Sequence, residues 1–386
     1  MSAPTGIRTA VEDPRGNRPD VLLLSMVVAL SLFGLLMIYS VTRFDLERSD
    51  LLPTVSMERQ MIFVTAGFIA LFLFSRLDYR EYRNFLPMIY AATVLLLLVV
   101  FLFDPIKGAR RWIPIGVFNL QPAEFAKIVA IMGSAQLLQH VGEGQRLEWR
   151  MIGRTGALMA LPTALVFLQP DLGTAMVFPF VWLVMLAAAG LNWKQFTTLI
   201  VGGAGTVIAM FRFGLLRQHQ LERIQVFLDP TIDPQGMGYT LRQSKLAIGS
   251  GQLFGKGLFE GTQTNLSYVP EQETDFIFTA VGEQLGFIGG VLVIAAFLVL
   301  VWRLVVIAAL ARDRFGTLLV VGITGMIMFH VFVNIGMTIG IAPVTGLPLP
   351  FLSQGGSFFM AMAIAAGIAN SVYLRRSPVP GEPFMR

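Results

Sequence analysis

The chain contains no cysteine, which excludes thiol nucleophiles, zinc–thiolate sites and disulfides from the outset. Its three histidines, His140, His219 and His330, are scattered, and a histidine-built metal site is not expected. Charge is scarce too. Lys, Arg, Asp and Glu make up 14% of the 386 residues, against about 25% in soluble domains. So little polar surface cannot face water on all sides, and the bilayer must serve as solvent. No glycine-rich turn stands in the strand-to-helix context of a nucleotide site.

What is abundant agrees with what is missing. Hydrophobic residues reach 55% and the mean hydropathy is +0.68. The 31 Phe suit contact with lipid, and the 38 Gly allow close helix approach. A net charge of +5 and a pI near 9.7 read as a topology signal rather than as an affinity for nucleic acid. Residues 1–19 are polar, and the apolar run from Val21 lacks a small-residue cleavage site. It reads as an uncleaved first span.

Apolar runs fall near 21–41, 61–75, 85–103, 121–139, 155–168, 172–191, 196–213, 277–302, 316–340 and 357–374. A span needs roughly 20 residues, so these make about ten helices, the fifth short and running into Gln169-Pro170. The expected fold class is all-α: a polytopic membrane protein with both termini on one side. Arginines in short loops (Arg76, Arg80, Arg83, Arg146, Arg150, Arg154, Arg303, Arg312, Arg314, Arg375, Arg376) make that side cytoplasmic. The stretches 104–120, 169–171, 214–276 and 341–356 then face outward. They carry Lys107, Arg110, Arg111, Arg217, Arg223, Arg242, Lys245 and Lys256 against the charge rule, and an anionic substrate would account for them.

The expected organisation is a disordered tail over 1–19, one membrane domain over 20–376 and a second tail over 377–386. Within the domain, 214–275 forms the one large outer loop. It holds turn chemistry (Asp229-Pro230, Asp233-Pro234), an amphipathic helix around Tyr239–Ile248, and a glycine-rich stretch from Gly249 to Gly257. A loop this long tends to be functional.

Asp275 closes that loop where an apolar helix begins, in Val269-Pro270-Glu271-Gln272-Glu273-Thr274-Asp275-Phe276. Two readings stand. Thr274 or Asp275 could cap the helix. Alternatively, burial and the neighbouring carboxylates could raise the Asp275 pKa toward that of a useful base. A base at the water–lipid boundary suits a substrate with a polar head and a greasy tail. Glu124 and Lys127, three residues apart inside a span, form either an intrahelical ion pair or the floor of an intramembrane cavity. Lys107, Arg110, Arg111 and Trp112 read as an interfacial belt or as a phosphate clamp with a stacking ring. Asp171 reads as a helix cap or a substrate ligand, and His330 and Asn334 as interhelical hydrogen-bonders. Pro343–Gly356 reads as an outer re-entrant segment.

At this point the sequence resembles a known family. QPAEFAK (121–127), GARRWI (108–113), QPDLGT (169–174), QSKLAIGSG (243–251), PEQETDFIF (270–278) and GLPLPFLSQGGS (346–357) are similar to blocks of the SEDS proteins, named for shape, elongation, division and sporulation. The similarity spans nearly all of 20–375. Gly255-Lys256-Gly257 and Gly261-Thr262-Gln263 resemble the elongation branch (RodA-like) more than the division branch (FtsW-like). Glu273 and Gln354 depart from the family pattern, which often has His or another polar residue at the first position and usually has Tyr at the second.

The resemblance implies a ten-helix fold and a glycosyltransferase that polymerises peptidoglycan glycan strands from lipid II. It implies Asp275 as catalytic carboxylate and Glu124 with Lys127 as the polar pair of a central cavity. An α-linked donor giving a β-linked product needs one in-line displacement, hence one base and a stabilised leaving pyrophosphate. Candidate substrate ligands are Arg110, Arg111, Trp112, Asp171, Lys245 and Lys256, beside Glu124 and Lys127. No metal site is legible, although a divalent cation (Mg or Mn) is compatible with the pyrophosphate. Implied partners are the nascent glycan strand, a class B penicillin-binding transpeptidase and other elongation-complex membrane proteins in the bacterial inner membrane. A lipid II flippase and a non-catalytic scaffold remain as alternatives at this level.

Overall fold

The computed structural model describes residues 18–376 apart from 50, 107, 117, 143–145 and 215–217; the side chains of 45, 218 and 219 are also outside the description. Lys107, Arg217 and the two expected tails therefore lie outside the described residues, save for 18 and 19. The chain runs through α1 (Val21–Arg48), α2 (Val55–Arg76) and α3 (Tyr82–Val99) to a hairpin of β1 (Ile113–Ile115) and β2 (Phe118–Leu120). It continues with α4 (Pro122–Leu138), α5 (Trp149–Leu168), α6 (Leu172–Ala188) and α7 (Trp193–Arg212). Then come α8 (Gln218–Leu228), α9 (Met237–Ser250), the single turn α10 (Thr262–Asn265), α11 (Ile277–Leu310), α12 (Arg314–Ile339) and α13 (Gly356–Leu374).

Eight helices among the described residues are long and apolar enough to cross a bilayer. α4 and α6, at 17 residues each, complete the bundle. The protein is thus a polytopic helical membrane protein, as expected. α4 lies at its centre, buried at Glu124 and Lys127 as well as at its apolar positions. α7 stands apart: of its 20 residues only Gln195 is buried.

Several boundaries differ from the sequence expectation. The fifth helix is not short: α5 starts at Trp149 and takes Arg150 and Arg154 into its first turns. α2 starts at Val55, six residues before the apolar run, because Glu58 and Arg59 extend it into the polar zone. The loop 214–275 is not featureless either. α9 matches its expected amphipathic helix; α8 (QHQLERIQVFL), polar overall yet with its apolar residues on one face, is a second amphipathic helix that the sequence reading does not include.

α11 is broken at Gly286, which takes φ +65° and ψ −163°. The segment 251–257 packs there. Phe287 N donates to Gln252 O (2.8 Å), and Lys256 N to Glu283 O (3.0 Å), so the interruption leaves these backbone groups paired. A Cβ at Gly286 would fall 2.3 Å from Gly255 N, so only glycine fits.

The loops sort to two ends. At one, Asp313 pairs with Arg80 (2.9 Å) and Arg83 (3.4 Å), Asp78 with Arg375 (3.4 Å), and Asp20 with Arg303. At the other, the β1–β2 hairpin, the turn 169–171, the segment 271–276 and the re-entrant stretch 341–355 converge. Leu347, Leu349, Phe351 and Leu352 bury that stretch among the helices. Ser357 ties it to the hairpin through Asn119 O (3.0 Å) and to α4 through Gln121 N (3.0 Å).

Candidate active site

A cavity of about 390 Å³ opens where those loops meet. Arg111, Trp112, Glu124, Asp171, Glu271 and Asp275 all line it, although the chain separates the first from the last by more than a hundred positions.

Asp275 does not cap the helix it precedes. The cap position of α11 is Phe276, with no side-chain cap bond, so the carboxylate is left for the cavity. Its backbone is fixed from α12, where Asn334 Nδ2 donates to Asp275 O (2.8 Å) and to Leu347 O (2.7 Å). Gly346 approaches from the re-entrant side in a left-handed conformation (φ +74°), and a Cβ there would lie 3.0 Å from Asp275 Oδ2. Burial pushes the Asp275 pKa up to about 6. The Arg111 charge opposes this and the Glu271 charge adds to it, while Thr274 and Arg223 pull it down. A carboxyl poised there can accept a proton near neutral pH.

Facing it is a cation–carboxylate pair. Arg111 stacks on Trp112, 4.1 Å from the ring centroid, and reaches Asp171 Oδ2 at 3.6 Å. Asp171 is itself fixed: Gln121 Nε2 donates to Oδ2 (3.0 Å), and Thr174 N donates to Oδ1 (3.2 Å), so it caps α6 and lines the cavity at once. Of the two readings from sequence, helix cap or substrate ligand, the structure shows the cap, and it places the same carboxylate on the cavity wall. Behind the wall, Lys127 Nζ meets Glu124 Oε2 (2.7 Å) and His330 Nε2 (3.0 Å), and His330 Nδ1 meets Pro348 O (3.2 Å). Glu124 reaches the cavity; Lys127 is buried beneath it.

The other cations proposed as substrate ligands lie elsewhere. Arg110 is exposed and donates to Phe101 O (3.3 Å), because it alternates with Arg111 on an extended segment and turns outward. Lys245, on α9, packs against Gly340 at the C-terminal end of α12, where a Cβ would strike its Cε. Lys256 pairs with Glu283 (2.7 Å), a buried carboxylate that also accepts from Gln263 N and Thr264 N. None of the three lines the cavity.

Residues not singled out as ligands fill the gaps. Gln354, noted from sequence as a departure, lines the cavity with its Oε1 buried and unpartnered, while its N–H bonds Glu273 O (2.9 Å). Arg223, on α8, holds Thr345 O (2.8 Å) and feels the charges of Asp171 and Asp275, with burial lowering its pKa. Gln121 was legible only as part of QPAEFAK. Arg223 needed α8 to be recognised as a helix. Among the described residues no three His, Cys, Asp or Glu side chains form a set able to hold a metal ion by themselves.

Comparison with known proteins gives the family. Residues 20–377 match the family model FTSW_RODA_SPOVE, described as cell cycle protein. A relative from Trichlorobacter lovleyi, named probable peptidoglycan glycosyltransferase FtsW, is 37% identical over 370 residues, covering 94% of this chain and 96% of its own. The Escherichia coli (strain K12) peptidoglycan glycosyltransferase MrdB is 35% identical over 362 residues, covering 92% and 94%. A solved structure described as "Structural coordination of polymerization and crosslinking by a peptidoglycan synthase complex" contains a chain that superposes with TM-score 0.77 at 28% identity, over 93% of this chain and 98% of that one.

Proposed function

The chain belongs to the FtsW/RodA/SpoVE (SEDS) family of peptidoglycan glycosyltransferases, and on that premise we propose that it polymerises lipid II with Asp275 as general base. The single observation that carries this reading is the Asp275 carboxyl on the cavity wall, with its pKa raised to about 6.

The acceptor 4-hydroxyl gives its proton to Asp275 as its oxygen attacks the anomeric carbon of the donor. The bond from that carbon to the pyrophosphate oxygen breaks in line, inverting α to β, and polyprenyl pyrophosphate leaves. Arg111 stabilises the charge developing on the leaving group, and Trp112 offers a ring face to a sugar. Gln354 Oε1, buried without a partner, is positioned to accept from a substrate hydroxyl. Glu124, backed by Lys127, shapes the floor. A divalent cation, where used, is expected to enter with the pyrophosphate, since magnesium is commonly held by one or two carboxylates plus phosphate oxygens.

The finer assignment is elongation in the bacterial inner membrane, with both termini cytoplasmic and the cavity outward. It is supported by the RodA-like Gly255-Lys256-Gly257 stretch and by the arginine-rich end of the bundle. The similarity to a chain of a peptidoglycan synthase complex supports a class B penicillin-binding transpeptidase as partner. The single membrane domain 20–376 is proposed as the unit that acts.

The test is polymerisation of labelled lipid II by the purified protein with that partner. Asp275→Asn is expected to abolish glycan chains while leaving association with the transpeptidase intact. Wild-type rates in the variant would remove Asp275 from the mechanism, and lipid II crossing vesicle leaflets without chain formation by the wild type would favour a flippase.

A further inference from the structure

The end of the bundle opposite Asp275 carries a second cavity, of about 680 Å³, that the proposed reaction does not use. It lies between the turn after α6 and the α11–α12 junction, and Arg146, Arg312 and Arg314 line it. The acid on its wall, Asp313, is already compensated. Its Oδ2 accepts from Arg80 Nε (2.9 Å) and lies 3.4 Å from Arg83 Nη2, and its Oδ1 accepts from Gly316 N (2.8 Å). Arg146, Arg312 and Arg314 form no ion pair among the described residues, unlike Arg80, Arg83, Arg303 and Arg375 at the same end. Arg314 Nη2 is used on Ala189 O (3.2 Å), yet its Nε is buried without a partner. Arg146 and Arg312 are exposed and pay little desolvation cost, but the buried Nε of Arg314 lacks an acceptor, and an anion in the hollow would supply one while meeting the other two guanidinium groups.

The depth of the hollow identifies the anion. Trp149 opens α5 just after Arg146, and Trp193 opens α7 just after Gly190 of the cavity wall; they are 53% and 77% exposed. Exposed indoles at the ends of apolar helices sit at headgroup level. The rest of the wall includes Ala188, Ala309 and Leu318, suited to the glycerol and first methylenes of a lipid rather than to a solvated ion.

We propose that this cavity binds the phosphate headgroup of an anionic phospholipid, drawn from the leaflet opposite the catalytic cavity. Arginine supplies the planar fork that phosphate takes in pairs of hydrogen bonds. Basic pockets between membrane helices at this depth suit such headgroups. The occupant bridges the turn leading into α7 and the start of α12, so it also joins the loosely packed α7 to the bundle.

The test uses the full chain in zwitterionic micelles, titrated with phosphatidylglycerol, phosphatidylcholine, inorganic phosphate or a glutamate-rich peptide and read by native mass spectrometry. Phosphatidylglycerol is expected to bind at least about tenfold more tightly than phosphatidylcholine. Arg146→Gln with Arg312→Gln should bring the two lipids level, while Arg150→Gln with Arg154→Gln should leave the preference in place. Equal binding of both lipids by the wild type, or an undiminished preference in the first double variant, overturns the proposal. So does displacement of the lipid by micromolar phosphate, which would assign a free anion. Preferential capture of an acidic peptide over phosphatidylglycerol would assign a protein partner instead. If the double variant does not fold, Arg312→Gln alone, at an exposed loop position, decides by the same criterion.

Discussion

Asn334 holds Asp275 by its backbone: one amide nitrogen on α12 donates to the Asp275 carbonyl at 2.8 Å and to the Leu347 carbonyl at 2.7 Å. The proposed general base and the re-entrant segment facing it are thereby fixed to the same buried side chain. Nothing else is asked of Asn334, which neither lines the cavity nor carries charge.

Asn334→Ala is therefore expected to slow polymerisation by roughly 10- to 100-fold, since displacing a catalytic group by about 1 Å can cost that much. The variant should fold, with a lowered melting temperature from two orphaned carbonyls. Single-turnover rates and thermal unfolding in detergent check both parts; an unchanged rate would show that the tether does not position the base.

The wild-type rate should climb with pH through about 6, with unit slope, as Asp275 loses its proton. Arg111 holds that pKa down, so Arg111→Gln should move the limb to higher pH as well as lowering the plateau. The stability sign runs the other way. A carboxyl whose folded pKa is raised stabilises the fold fully below its ordinary value, and loses that contribution as pH passes its folded pKa. Asp275→Asn should accordingly melt higher than wild type above pH 6, a gain absent at pH 4.

Neighbouring arginines should behave unequally. Arg111 lines the cavity, and Arg111→Ala is expected to reduce kcat by about 100-fold, in the range found for lost transition-state donors. Arg110 points outward, and Arg110→Ala should change the rate by less than about threefold, as for an exposed charge. Kinetics on the two variants decide; equal losses would mean that the clamp uses both side chains.

Lys127 and Glu124 test a different point. Their 2.7 Å contact is buried on both sides, and removing one partner of such a pair costs about 3–5 kcal/mol. Lys127→Met should thus destabilise strongly, and Lys127→Met with Glu124→Gln should be more stable than Lys127→Met alone. Unfolding midpoints in a common detergent measure the cycle; simple additivity would mean that the two charges do not depend on each other.

Hydrophobic content and loop arginines were enough to announce a bundle of about ten helices and to separate its two ends, because lipid leaves backbone polar groups few alternatives to helix. Where charge entered a helix, as at Glu58 or Arg150, the apolar run understated its length. The carboxylate at Asp275 was legible for a related reason: an acid at the start of a long apolar run is conspicuous. What linear order could not supply was convergence. Arg110 and Arg111 read alike until an extended backbone turned one inward and the other out. Lys245 and Lys256 read as phosphate ligands until packing gave one to the end of α12 and the other to Glu283. Asp171, Gln354 and Asn334 acquired their places only when the turn after α5, the re-entrant loop and α12 were brought together. Composition determines the solvent, and the solvent determines the secondary structure; which side chains share a cavity depends on contacts across hundreds of residues, and only tertiary packing decides those.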